Sequence, residues 1–199
     1  MKEIIERAKA ILYKPKETWW IIKNETGTVQ DLFVNYAAPL ALIPAVSTLI
    51  GFVVIGIRMP SGSFARAPFM ESLTGGILGY FFNLLGLLAA AWVINFLAPY
   101  FNSKQDFGAA VKLVIYSMTP VWLVGIFSLL PGIGVLQLFG FFGVYLLFLG
   151  LPAMLDTPID KMAWFTTFIV IAWFLISLLL TIIVGGAVYG PMFLRMMSV

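Results

Sequence analysis

Long uncharged stretches alternate with short charged ones along this chain, and this pattern predicts membrane-spanning helices. Residues 32–57, 72–103, 113–155 and 162–194 contain no charged side chain. A bilayer core requires about 20 apolar residues for each spanning helix. The third stretch is long enough for two spans, and residues 130–134 (Leu-Pro-Gly-Ile-Gly) suit a hairpin between them. The sequence therefore predicts five transmembrane helices.

The uncharged stretches also set the boundaries of the spans and of two regions. The predicted spans cover residues 33–57, 73–99, 109–130, 135–155 and 164–188. Pro120 lies inside the third span and frees the carbonyl of Tyr116, so we expect a kink there. The fold class is an all-α polytopic membrane helical bundle. Residues 31–199 form its five-span membrane domain, and residues 1–30 form a cytoplasmic amphipathic or interfacial segment.

The first 13 residues have the pattern of an amphipathic helix. At 100° per residue, the apolar positions fall in one arc of about 120° and the charged positions fill the other side. The arc contains Met1, Ile4, Ile5, Ala8, Ile11 and Leu12. Such a helix either lies in the headgroup plane or packs on the protein's own cytoplasmic face. Trp19 and Trp20 follow between lysines, which is the pattern of an interfacial anchor.

Basic residues predict the orientation in the membrane. With five spans, one side holds Lys2, Arg7, Lys9, Lys14, Lys16, Lys23, Lys104, Lys112 and Lys161. The other side holds Arg58, Arg66 and Arg195. Basic residues are enriched on the cytoplasmic side of membrane proteins. We therefore expect a cytoplasmic N-terminus and an external C-terminus.

Composition narrows the function classes. Hydrophobic residues make up 61% of the chain and charged residues 11%, which leaves no room for a separate soluble catalytic domain. The chain has no Cys and no His, so thiol chemistry, imidazole catalysis and the usual zinc sites are excluded. We expect no enzyme activity, no cofactor, no metal and no nucleic acid. Basic residues beside the membrane favour anionic lipids as partners.

Small and amide side chains within the spans allow more than one interpretation. Gly75–Gly79 and Gly186–Gly190 are spaced as GxxxG pairs, which serve helix contacts within one bundle or between copies in a homo-oligomer. The amide side chains belong to Asn83, Asn95 and Gln137. Amides are costly in lipid, so each is expected to point into the bundle or toward a partner. They either bond neighbouring helices or line a polar cavity.

Several short motifs occur in an order that resembles the bacterial and archaeal branch of the Yip-one (Ypt-interacting protein) family. Residues 13–19 (Tyr-Lys-Pro-Lys-Glu-Thr-Trp), followed by Ile22 and Glu25, look like the segment before that family's first span. Residues 35–44 are similar to its first-span pattern, and Tyr116 with Pro120 fits its Tyr-x-x-x-Pro motif. The remaining matches lie at 130–134 and 145–152.

The resemblance implies a five-span helical protein with a cytoplasmic N-terminus. Eukaryotic members of that family bind Rab-type GTPases, but their Asp-Leu-x-Gly-Pro motif is not matched, because no Gly lies between Asp31-Leu32 and Pro39. We predict a non-enzymatic integral protein of a prokaryotic cytoplasmic membrane that organises membrane or partner proteins whose identity is open. The alternative is a small-solute transporter or pore lined by Asn83, Asn95, Tyr116 and Gln137.

Overall fold

The five-span prediction is confirmed by the structure. A computed structural model describes residues 2–58, 64–130 and 133–197. Five of its helical segments are long and apolar enough to cross a membrane: Val29–Ile55, Phe69–Phe101, Phe107–Leu129, Val135–Leu155 and Ile159–Gly186. They agree with the predicted spans to within a few residues at most ends. Two residues of the expected hairpin, Pro131 and Gly132, lie outside the described residues.

Most of the described chain is helical, and one small antiparallel hairpin interrupts it. In chain order the elements are α1 (Lys2–Tyr13), α2 (Pro15–Lys23), α3 (Val29–Leu32), a π-helical turn (Phe33–Ala37), α4 (Ala38–Ile50), a second π-helical turn (Gly51–Ile55), β1 (Ile57–Arg58), β2 (Phe64–Ala65), α5 (Phe69–Leu97), a 3-10 turn (Ala98–Phe101), α6 (Phe107–Ser117), α7 (Thr119–Val124), a 3-10 turn (Gly125–Leu129), a 3-10 segment (Gly134–Phe141), α8 (Phe142–Leu155) and α9 (Ile159–Met197).

The third span is interrupted near its middle. α6 ends at Ser117, Met118 is a turn residue, and α7 begins at Thr119 with Pro120 in its first turn. Proline has no N–H to donate, so the helical ladder cannot run unbroken through this point. α8 approaches closely here, because a Cβ on Gly143 would lie 2.5 Å from the carbonyl oxygen of Ser117.

The two N-terminal helices pack on one end of the bundle, which we call the N-terminal face. Lys23 Nζ lies 2.6 Å from Asp156 Oδ1 in the loop after the fourth span. In the loop after the second span, Ser103 Oγ donates to Thr157 Oγ1 at 2.9 Å. The N-terminal segment and these two loops therefore lie on the same side of the bundle.

The position of α1 bears on the two alternatives for the amphipathic segment. Ala8 and Ile11 are buried against the protein, whereas Ile5 is 53% exposed. Thr18 in α2 donates through Oγ1 to the carbonyl oxygen of Ala10 at 3.0 Å. The apolar arc of α1 thus packs on the protein over much of its length. Contact between lipid headgroups and the exposed outer edge of α1 stays a prediction.

Candidate functional site

A polar cleft of about 530 Å³ opens at the N-terminal face. Its walls come from three parts of the chain that are distant in sequence: α1, the segment from α2 into the first span, and the third span. The residues that give it its character are Arg7, Glu25, Asp31, Asn35, Tyr36, Lys112 and Tyr116. The cleft therefore gathers the charged and polar groups at which the N-terminal segment meets the bundle.

One ion pair joins α1 to the wall of the polar cleft. The Arg7 guanidinium donates to the Glu25 carboxylate, and both side chains keep about a third of their surface exposed. Glu3 and Glu6 on α1 also line the cleft. Acidic side chains outnumber basic ones around the opening. Arg7 is the cation that α1 contributes to the lining.

A lysine fixes the carboxyl end of α2 against the third span. Lys112 Nζ donates to the backbone oxygens of Glu25 at 2.7 Å and Ile22 at 3.3 Å. The last carbonyls of a helix carry a partial negative charge, so a cation there is stabilising. Lys112 lies one turn inside α6, and its side chain extends to these carbonyls. It therefore joins two walls of the cleft, the segment after α2 and the third span.

An aromatic cluster of Trp19, Tyr36 and Tyr116 lies next to the cleft, and its two tyrosines are part of the cleft lining. The Tyr36 and Tyr116 ring centroids are 4.9 Å apart, and those of Trp19 and Tyr116 are 6.2 Å apart with the rings nearly perpendicular. The Tyr36 hydroxyl lies 2.9 Å from Thr119 Oγ1, a hydrogen bond between the first and third spans. Three segments of distant sequence are thus held in one arrangement beside the cleft.

The structure places the two adjacent tryptophans in different environments. Trp19 is fully buried and its Nε1 donates to the carbonyl oxygen of Leu146 in α8 at 3.1 Å. The interfacial role predicted for Trp19 is therefore wrong, because its ring has no surface left for headgroups. Trp20 is 55% exposed, and Lys23 Nζ lies 5.3 Å from its ring centroid. Adjacent helical positions point about 100° apart, so only one of the pair can face outward.

The amides singled out from the sequence do not converge with Tyr116. Asn83 Oδ1 accepts a long hydrogen bond of 3.4 Å from Trp122 Nε1. Asn95 Oδ1 is buried and has no partner among the described residues. Gln137 is exposed rather than inside the bundle, and its Nε2 donates to Ser128 Oγ at 2.8 Å. The alternative of a solute path lined by these amides and Tyr116 stays a prediction.

Several residues of the polar cleft were missed by the sequence reasoning. Glu25, Asn35 and Tyr36 lie within the motifs that carried the family resemblance, so the order of those motifs was the available signal. From the sequence, Arg7 and Lys112 were considered only as basic residues that indicate the orientation in the membrane. Pro120 is buried beside the interruption in the third span, two residues beyond the turn.

Comparison with known proteins confirms the family resemblance found in the sequence. The family model of the Yip1 domain matches residues 9–195. Inner membrane protein YohC of Escherichia coli strain K12 is 25% identical over 146 residues, which cover 71% of this chain and 75% of that protein. YohC of E. coli O6:H1 strain CFT073 matches to the same extent. No solved structure matches the chain.

Proposed function

The chain belongs to the Yip1 domain family of integral membrane proteins, and from that premise we propose that it is a non-enzymatic organiser that docks a partner protein in the polar cleft. The single observation that carries the proposal is the cleft itself. Its walls combine α1, the segment after α2 and the third span, and its lining offers carboxylates, an amide, two cations and tyrosine rings. Such a mixed lining suits recognition of a polar protein segment by hydrogen bonds and ion pairs.

The supports around the cleft favour binding over chemistry. Arg7 is paired with Glu25, Lys112 donates to backbone oxygens, and Tyr36 bonds Thr119. Each of these groups holds one element against another. The cleft is therefore preorganised by its own hydrogen bonds, and a preorganised surface loses less entropy when a partner binds.

A photo-crosslinking experiment in cells tests the cleft as a docking surface. We expect a photoreactive amino acid at Asn35, which is exposed in the cleft, to give a discrete cross-linked species with a partner protein. Arg7→Glu should abolish that species, because it breaks the Arg7–Glu25 pair. The double variant Arg7→Glu with Glu25→Arg should restore it, since the pair is rebuilt with its charges exchanged. Mass spectrometry of the cross-linked band provides the measurement.

The control for this experiment places the same photoreactive group at Phe81, which is 59% exposed on the second span. A docking surface confined to the cleft predicts no such species from this position. If Phe81 captures the same partner as Asn35, or if no species forms from Asn35, the cleft is not the docking surface.

We further propose that the N-terminal face is cytoplasmic and rests on anionic lipid. This is supported by the basic residues of α1, α2 and the loop after the second span, which belong to that face. Reporters fused before Met1 and after Val199 are expected to lie on opposite sides of the membrane, with the N-terminal one in the cytoplasm. Alkaline phosphatase and a fluorescent protein that matures only in the cytoplasm make the measurement. Reporters on the same side would contradict the odd number of spans.

A further inference from the structure

A smaller polar pocket, of about 290 Å³, lies at the N-terminal face beside the polar cleft. Its walls come from the end of α2, the start of the first span, the loop after the second span, the start of α6 and the end of α8. Three of the residues that line it are lysines, Lys23, Lys104 and Lys112, and one, Asp106, is acidic. We call it the lysine pocket. Its volume is below the range of about 300–1,000 Å³ typical of drug-sized ligands, so it suits a small charged group.

The lysine pocket keeps a positive charge after its own ion pairs are counted. Lys23 Nζ lies 2.6 Å from Asp156 Oδ1, and Lys104 Nζ lies 3.3 Å from Asp106 Oδ2. Lys112 donates to backbone oxygens and has no carboxylate partner among the described residues. All four side chains of the two ion pairs are about a third or more exposed, and exposed pairs contribute little stability. An incoming anion can therefore compete with both carboxylates.

Hydrogen-bond donors also remain available in the lysine pocket. An ammonium group has three N–H donors. Within the described chain, Lys23 Nζ and Lys104 Nζ each donate one hydrogen bond, and Lys112 Nζ donates two. A phosphate group combines negative charge with several acceptor oxygens, so one phosphate can accept from more than one lysine.

The depth of the lysine pocket favours a lipid phosphate over a soluble one. Val29 is the first residue of the first span, Ala109 is the third residue of the third span, and Met154 is the last but one of the fourth. These ends of the spans mark the edge of the hydrocarbon core, where the polar headgroups begin. In other membrane proteins, basic pockets between transmembrane helices on the cytoplasmic side bind anionic headgroups.

We propose that the lysine pocket binds the headgroup phosphate of an anionic phospholipid. Lys23 and Lys104 donate to the phosphate oxygens, from α2 and from the loop after the second span, and Lys112 adds its charge from α6. The inference rests on the proposed contact of the N-terminal face with anionic lipid and assigns that contact to one pocket. It does not depend on a partner protein in the polar cleft.

Native mass spectrometry of the full-length protein in a neutral detergent measures this binding. Phosphatidylglycerol and phosphatidylcholine serve as probes, because each has one phosphate and only the first has a net negative charge. We expect phosphatidylglycerol to bind more tightly. The double variant Lys23→Gln with Lys104→Gln should weaken its binding about 10- to 30-fold, since a lysine beside an anionic lipid contributes about fivefold. Lys112 is left unchanged because it holds the end of α2.

A second double variant and a single variant separate the lysine pocket from general attraction. Lys9→Gln with Lys16→Gln removes the same charge from exposed positions of α1 and α2 outside the lining, and should weaken binding less than about 3-fold, because salt screens distant charges. Asp106→Asn removes the carboxylate from the lining, while asparagine still caps α6. It should tighten binding about 3- to 10-fold. Equal weakening by both double variants, or no tightening in Asp106→Asn, would overturn the lysine pocket as the site.

Two further outcomes distinguish the source of the phosphate and the premise of the inference. An excess of inorganic phosphate should displace no more phosphatidylglycerol than sodium chloride does at equal ionic strength. Greater displacement would assign the lysine pocket to a soluble phosphate and overturn the lipid. Equal binding of the two lipids by the unaltered protein would contradict the contact of the whole N-terminal face with anionic lipid.

Discussion

Trp19→Ala is expected to lower the free energy of unfolding by about 3–5 kcal/mol, which is the usual cost of truncating a buried tryptophan. The ring is fully buried, contacts the Tyr116 ring edge-on and donates to the carbonyl oxygen of Leu146. Its removal leaves a cavity between α2 and α8. The measurement is unfolding of the purified protein in mixed micelles, followed by tryptophan fluorescence.

Trp20→Ala is the matched control for this experiment, because it removes the same side chain from the next position. Trp20 is exposed, so its loss should change the free energy of unfolding by about 0.5 kcal/mol or less. The two variants also retain equal numbers of tryptophans for the fluorescence signal. Equal destabilisation by both variants would mean that α2 is not docked through Trp19.

Gly143→Ala is expected to lower the free energy of unfolding by about 1–3 kcal/mol, as overpacking does in other cores. The added Cβ would lie 2.5 Å from the carbonyl oxygen of Ser117, which is backbone and cannot move aside like a side chain. The fourth span must therefore separate from the third where the helix is interrupted. The same mixed-micelle unfolding measurement applies.

A second glycine on the surface of the bundle provides the control for Gly143. Nothing lies within 4 Å of a Cβ placed on Gly79, in the middle of α5. Gly79→Ala should stabilise the protein by up to about 1 kcal/mol, because alanine favours the helix. A loss of stability at Gly79, or none at Gly143, would contradict the packing described for the two positions.

The membrane architecture was predictable because spans are defined by the absence of charge over about 20 residues, a signal that needs no knowledge of tertiary structure. Pro120 also carried a local signal for the interruption of the third span. The different environments of Trp19 and Trp20 had no such signal. Which of two neighbouring rings faces inward depends on how α2 is rotated against α8, and that follows from contacts more than 100 residues away.

The polar cleft was less predictable for the same reason. Arg7 and Glu25 are separated by 18 residues, and Lys112 lies 87 residues beyond Glu25. In the sequence, charges so far apart indicate only the edges of the membrane. The folded bundle brings them together. The positions of the amides did not predict their surroundings. A polar side chain within a span indicates that a hydrogen-bond partner is needed. It does not indicate whether that partner is another side chain, a loop or the outer surface.

The hydrogen bond between Trp19 and Leu146 joins residues 127 positions apart, which sets an order of events during biosynthesis. At about 5–20 residues per second, some 6–25 seconds of translation separate the two partners. α2 is synthesised well before α8, and the site that receives the Trp19 ring is completed only after the fourth span has been inserted. During that interval the Trp19 ring lacks its partner on α8 and is available to the membrane surface or to a chaperone. The Trp19 side chain therefore reaches its native position only after Leu146, a much later residue, has been made.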